Sequence, residues 1–187
     1  EICRDALERN IPVLVDKPIT VTHCDAKELV RISKSRDVIL MTAFTRHFMS
    51  STEHVRRQIR AGEVDIQRLT AVQRRSGIAN TIEDGGMLHR RTVHILDLIP
   101  WLTAKPIARV SGTIEYERDH KEESVVDTRL ELEDGSICDL LCIKDGEEVQ
   151  DEVSVYGRRQ SYRLDKQTVY RLEPKSGWQL IEDLPTY

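Results

Sequence analysis

Two stretches of this chain, Ile11–Val15 and Val38–Phe44, run apolar without alternation, the pattern of strands buried on both faces in a parallel sheet. Helical spacing surrounds them. Glu1–Arg9 carries Ile2, Ala6 and Leu7 on one side and opens with no capping residue, which reads as a cut edge; Asn10 closes it. Thr22 with Asp25 three residues on forms a capping box, followed by Ala26, Leu29, Val30 and Ser33 at helical steps to about Lys34. A third helical segment runs from Phe48 through Val55 to Ile59 and ends at Gly62. Helix, strand, helix, strand, helix is the tail of a doubly wound α/β sheet.

Beyond Gly62 the period changes to two. Strands are predicted over Leu69–Arg75, Ile107–Tyr116, Ser124–Leu132, Ser136–Ile143, Glu152–Tyr156, Ser161–Leu164 and Thr168–Leu172. Turn signals at Glu133-Asp-Gly135, Lys144-Asp-Gly146 and Ser176-Gly177 make neighbours antiparallel. In Ser124–Leu132 the alternation is clean, with Val126, Thr128, Leu130 and Leu132 on one side. Ser136–Ile143 is apolar on both sides, so its second face lies under either another subunit or a loop. One long helix interrupts, about Met87 to Trp101, with Leu88, Thr92, Ile95, Ile99 and Leu102 facing the sheet. The fold class is therefore α+β: an open, mostly antiparallel sheet with helices on one face, preceded by the last β-α-β part of a doubly wound α/β sheet. The division is expected at 1–47 and 48–187.

Composition narrows the function. The 187 residues are 39% hydrophobic and 32% charged, an ordinary globular balance. A net charge of -4 repels a phosphate backbone, and Arg56-Arg57, Arg74-Arg75 and Arg90-Arg91 are too dispersed to reverse it, which argues against a nucleic-acid partner. No apolar run approaches a membrane span and nothing resembles a signal peptide, so a cytoplasmic location with no membrane contact is expected. Cys3, Cys24, Cys138 and Cys142 include no Cys-x-x-Cys pair and read as reduced, buried thiols, with no metal site. There is no Gly-x-Gly-x-x-Gly, no phosphate-binding P-loop, no His-Glu-x-x-His and no Gly-x-Ser-x-Gly.

Two places carry chemistry. Val15-Asp16-Lys17-Pro18 follows a buried strand at its carboxyl end, where open α/β sheets present ligand-binding groups. An ammonium there can hold a substrate hydroxyl or steady an alkoxide, and Pro18 fixes the backbone that aims it. On position alone, a solvated lysine is the commoner case. On the long helix, Arg90, His94, Asp97 and Trp101 follow at steps of four, three and four and share one face. His94 can take a proton from a hydroxyl, although a lone helical histidine is more often structural.

These sites, in order, resemble the glucose-fructose oxidoreductase/inositol dehydrogenase (Gfo/Idh/MocA) family. Pro12-Val-Leu-Val-Asp-Lys-Pro18 is similar to its strand ending in Glu-Lys-Pro, and Val38 to Phe48 to its next strand and double-arginine turn. Ile59-Arg-Ala-Gly62 resembles its helix end, Gly85-Gly86 to Asp97 its glycine-started helix, and Val153-Ser-Val-Tyr-Gly157 its late strand. The resemblance implies a Rossmann domain followed by a dihydrodipicolinate-reductase-like C-terminal domain, which binds substrate and often dimerises through its open sheet face. It implies Lys17 and His94 as catalytic, Lys17 and Pro18 at an NAD or NADP cofactor, and Arg46 at the substrate. Asp97 matches a recurrent residue of structural role.

Three departures stand out: Asp16 replaces a glutamate, His47 the second arginine, and Arg90 the catalytic aspartate. Arg90 swaps an acceptor for a fixed cation. Either it binds an anionic substrate group while Lys17 and His94 move the proton, or ordinary activity is lost. The resemblance thus implies an oxidoreductase fragment acting on a sugar, polyol or sugar-acid-like substrate, inactive alone, in a parent that forms a homo-oligomer. The alternative is a catalytically inactive binding or oligomerisation protein.

Overall fold

The computed structural model describes residues 1–75, 86–117, 123–144, 149–182 and 184. The first unit comprises α1 (Ile2–Glu8), β1 (Val13–Val15), α2 (His23–Arg36) and β2 (Leu40–Thr42), with β1 and β2 parallel. Thr22 caps α2 as predicted, its hydroxyl oxygen accepting from the Asp25 N–H at 3.1 Å, and Asp37 ends it in the left-handed region. Leu7, Leu29 and Ile32 form a small core with Val13, Val38 and Leu40 packed on it.

The two strands are shorter than the apolar runs predicted, and they are covered on one face only. Leu14 stays 69% exposed and Met41 43%, because α1 and α2 lie on the other side.

A short 3-10 turn, Thr45–Phe48, leads into α3 (Ser50–Arg60). Gly62 stands just past α3 with φ +75, and the N–H groups of Gly62 and Glu63 return to the Ile59 and Gln58 carbonyls. That is the helix ending the glycine predicted.

The eight-stranded sheet comprises β3 (Ile66–Arg75), β4 (Ile107–Tyr116), β5 (Glu123–Leu132), β6 (Ile137–Lys144), β7 (Gln150–Gly157), β8 (Tyr162–Asp165), β9 (Thr168–Glu173) and β10 (Gly177–Leu180). Their spatial order is β10-β9-β8-β7-β3-β6-β5-β4, antiparallel throughout except for β3 beside β6. Seven of these strands were predicted within a few residues; β10 was not, since its Ser176-Gly177 read only as a turn. The Lys144-Asp-Gly146 turn falls partly outside the described residues.

The long predicted helix begins with a π-helical turn, Leu88–Thr92, and continues as α4 (Val93–Thr103). Its Ile95, Leu98, Ile99 and Leu102 pack with Val55 of α3 on the inward rows of the sheet: Leu69 and Ala71, Val126 and Leu130, Cys138 and Leu140, Val153 and Val155. Each such aliphatic side chain, fully buried, contributes about 1.5–3 kcal/mol. On the opposite face Asp139 of β6 takes ion pairs from Arg68 of β3 and Arg129 of β5. Ile137, Leu141 and Ile143 on that face are half-buried.

Candidate active site

The carboxyl end of β1 delivers Asp16, Lys17 and Pro18, and the Lys17–Pro18 peptide bond is cis. The Lys17 backbone N–H donates to its neighbour's carboxylate, Asp16 Oδ1, at 2.8 Å. Its ammonium donates to the Arg90 carbonyl oxygen at 2.5 Å. The first unit is thereby tied to the π-helical turn, one turn before His94.

Widened turns of this kind depart from the α-helical ladder and recur at functional positions. Glu123 at the head of β5 steadies this one, its carboxylate accepting from the Leu88 N–H at 2.9 Å. Gly86, at φ +69, keeps its space open beside that carboxylate. Gly85, the other half of the predicted glycine pair, lies outside the described residues.

What Arg90 brings to this corner is its backbone carbonyl. Its side chain is exposed, and the described lining of the neighbouring cleft does not include it.

That cleft has a volume of about 500 Å³. It is lined by Thr45 and Arg46 of the 3-10 turn, Met49 just after it, His94 of α4, Asp151 of β7, and Lys166, Gln167 and Thr168 where β8 turns into β9. The His94 imidazole meets the Phe44 ring edge to face, centroids 6.3 Å apart, which orients it from the end of β2. The Thr52 hydroxyl shares its one proton between the Arg46 and Met49 carbonyls, holding the turn that carries Arg46. Arg46 forms an ion pair with Asp151, whose side chain is fully buried, and Gln73 Nε2 donates to Asp151 at 3.4 Å.

Behind this wall, His47 lies 2.6 Å from Asp97 and stacks on Trp101, ring centroids 4.5 Å apart. The Arg56 guanidinium lies over the same indole at 3.9 Å. Burial pushes the Asp97 carboxyl above its ordinary value, against the opposing pull of His47. Asp97 and Trp101, predicted to share the helix face of His94, thus hold the adjoining turn from behind.

The structure brings His94 and Arg46 into one cleft; Lys17 and Pro18 are outside its described lining, and Lys17 meets the helix that carries His94 through the Arg90 carbonyl. Asp151 escaped the sequence reading because β7 was expected to begin at Glu152. A signal was present nonetheless: Asp151 is in phase with Val153 and Val155, so a carboxylate occupied an inward position. Gln73 repeats it on β3 after Leu69 and Ala71. Among the described residues no group of three or more metal-ligating side chains occurs, and no helix is long and apolar enough to cross a membrane.

The residues present fit the nicotinamide end of a dinucleotide in one respect, an ammonium and a histidine-bearing helix at the tip of a parallel strand. The chain holds no glycine-rich turn for the pyrophosphate.

Comparison with known proteins agrees with this architecture. The model of the GFO/IDH/MocA C-terminal domain matches residues 53–163, and that of an oxidoreductase family with an NAD-binding Rossmann fold matches residues 1–44. Inositol 2-dehydrogenase of Leifsonia xyli subsp. xyli is 24% identical over 140 residues, 72% of this chain and 41% of that protein. Inositol 2-dehydrogenase of Corynebacterium glutamicum is 25% identical over 144 residues, 72% of this chain and 42% of its own length. The chain thus spans about two fifths of the curated relatives it matches.

Among solved structures, the aldose-aldose oxidoreductase of Caulobacter crescentus complexed with glycerol superposes with a TM-score of 0.86 at 14% identity, covering 98% of this chain and 59% of that one. The UDP-N-acetylglucosamine 3-dehydrogenase of Acidithiobacillus ferrooxidans gives 0.82 at 17% identity, with 98% and 59% covered. These two show a shared fold. With the C-terminal model matching more than half of its residues and the NAD-binding model the segment before it, the chain belongs to the Gfo/Idh/MocA oxidoreductase family.

Proposed function

We propose that this chain supplies the substrate side of an NAD- or NADP-dependent oxidoreductase acting on a hydroxyl or carbonyl carbon of a sugar, polyol or related molecule. The observation that carries the reading is the Lys17 ammonium bonded to the Arg90 carbonyl, one turn before His94 on the wall of a cleft. The relatives named above as inositol and sugar dehydrogenases support the substrate class.

Lys17 and Pro18 would hold the nicotinamide end of the cofactor, which accepts or returns hydride when bound. Lys17 donates a hydrogen bond to the reacting oxygen and steadies negative charge as it develops there. His94 takes the hydroxyl proton in one direction and returns it in the other. Arg46, in the same cleft as His94, donates to a substrate hydroxyl. Arg90 stands on the exposed side, so the reading rests on Lys17, His94 and Arg46. The bare apolar face of β1 and β2 supports a parent chain whose further α/β elements cover it and supply the phosphate-binding turn. In that parent the open sheet face is assigned to self-association and the division between units to residue 47, the chain alone being inactive.

The test is turnover by the parent protein with NAD and NADP over neutral sugars, polyols and sugar acids. Lys17→Ala and His94→Ala are each expected to lower kcat at least about a hundredfold. Unchanged rates in both variants end the assignment. A second reading, a binding or oligomerising protein without turnover, draws on Arg90 standing where the resemblance places an aspartate. Oxidation of NADPH or NADH at ordinary enzyme rates with any of these substrates removes it.

A further inference from the structure

The inward rows of the sheet are apolar until they reach the cleft. On β3, Leu69 and Ala71 give way to Gln73; on β7, Val155 and Val153 give way to Asp151. The register sets Gln73 directly against Asp151, so two buried polar side chains meet at the cleft end of otherwise apolar rows. A carboxylate is retained in such surroundings only against a compensating charge, and Arg46 provides it from the 3-10 turn. Among the described residues that line the cleft, Asp151 is the one carboxylate; Arg46 and Lys166 are the cations.

An ion pair on a cleft wall has a definite preference. The paired guanidinium, the partly exposed member, still donates to hydroxyl oxygens, so a neutral polyhydroxylated molecule is held without disturbing either charge. A carboxylate or phosphate arriving at Arg46 must displace Asp151 and remain beside it in a poorly solvated place, where like charges repel strongly.

We infer that Asp151 is a specificity-determining residue: by holding Arg46 neutralised, it makes the cleft select a neutral, hydroxyl-bearing group and reject the acid counterpart. The inference rests on the cleft being the substrate site and is independent of the hydride step.

The experiment is equilibrium binding of a neutral and an acid ligand on one skeleton, D-glucose and D-glucuronate, followed by protein NMR shifts without nicotinamide. The proteins are wild type, Asp151→Asn, and the double variant Arg46→Gln/Asp151→Asn. Wild type is expected to bind the neutral sugar at least about tenfold more tightly. Asp151→Asn keeps the shape, frees Arg46 for an anion and shrinks or inverts that ratio by about tenfold. The double variant, with both charges of the pair removed and Lys166 unchanged, loses the acid affinity gained by the single one and no longer shows the wild-type ratio.

Equal affinities in wild type, a preference for the acid, no binding of either ligand, or a ratio unmoved by Asp151→Asn would overturn the inference. Should Asp151→Asn not fold, the double variant decides, and a wild-type ratio there is equally fatal. Correct binding preferences without turnover in the parent would sink the oxidoreductase reading alone. Turnover with an unmoved ratio would sink this one alone.

Discussion

Cys138 and Cys142 sit two turns of the pleat apart on the inward face of β6, and their surroundings decide their chemistry. Burial pushes the Cys142 thiol up to about 11 and the Cys138 thiol to about 12, against an ordinary 9.0. Thiolate is the reactive form, so both are inert near neutrality. Cys24, which the sequence grouped with them, is exposed on α2. Mass spectrometry after brief alkylation of the native chain is expected to find Cys24 modified and Cys138 and Cys142 untouched; labelling of the β6 pair first contradicts their burial. The same shifts carry a pH dependence. The folded state keeps these protons where the unfolded chain has lost them, so the contribution is intact below about 9 and is lost as pH rises through 11 to 12. Urea midpoints are expected to fall from about pH 8 to about pH 11, and less steeply in Cys142→Ala than in wild type.

At the scale of elements, β4 shows how much a single missing side chain can matter. A Cβ at Gly112 would stand 2.2 Å from the Asp127 carbonyl oxygen and 2.7 Å from the Thr128 Cα, both backbone atoms of β5. No rotamer change relieves that contact, so one strand must move. Gly112→Ala is expected to cost about 1–3 kcal/mol, read as a lowered urea midpoint with an unchanged slope. A variant as stable as wild type would show that β4 approaches β5 less closely. The helical element departs from expectation in another way. A continuous α-helix was predicted from Met87, but the π-helical turn at Leu88–Thr92 intervenes, and the Lys17 ammonium meets its Arg90 carbonyl. Its residues have ordinary helical character, which is why the widened turn left no mark in their periodicity.

Across the whole molecule, two apolar cores of unequal size share the chain. Among the described residues, Leu7, Leu29 and Ile32 hold the first unit, whose sheet is a single pair of three-residue strands, and twenty buried residues hold the second. Two-stranded sheets are marginal by themselves, and local opening follows the weaker core. Hydrogen exchange is expected to deprotect α1, β1 and β2 well before β3, β6 and β7. Equal protection factors in both units would mean that Lys17, bonded to Arg90, and Arg46, paired with Asp151, bind them into one cooperative body.

Much of this architecture was written locally. Val126, Thr128, Leu130 and Leu132 alternate, Thr22 caps a helix and Gly62 ends one, because pleat, capping and left-handed turns depend on residues a few positions apart. Lys17 and His94 stood out for the same reason, each at a characteristic place in its element. The partner of Arg46 did not, since Asp151 lies 105 positions away. Nor did the parallel pairing of β3 with β6, or the addition of β10 at the sheet edge. Those depend on which distant surfaces meet once the core has closed, and a charge becomes a buried member of a cleft only when packing has removed its water.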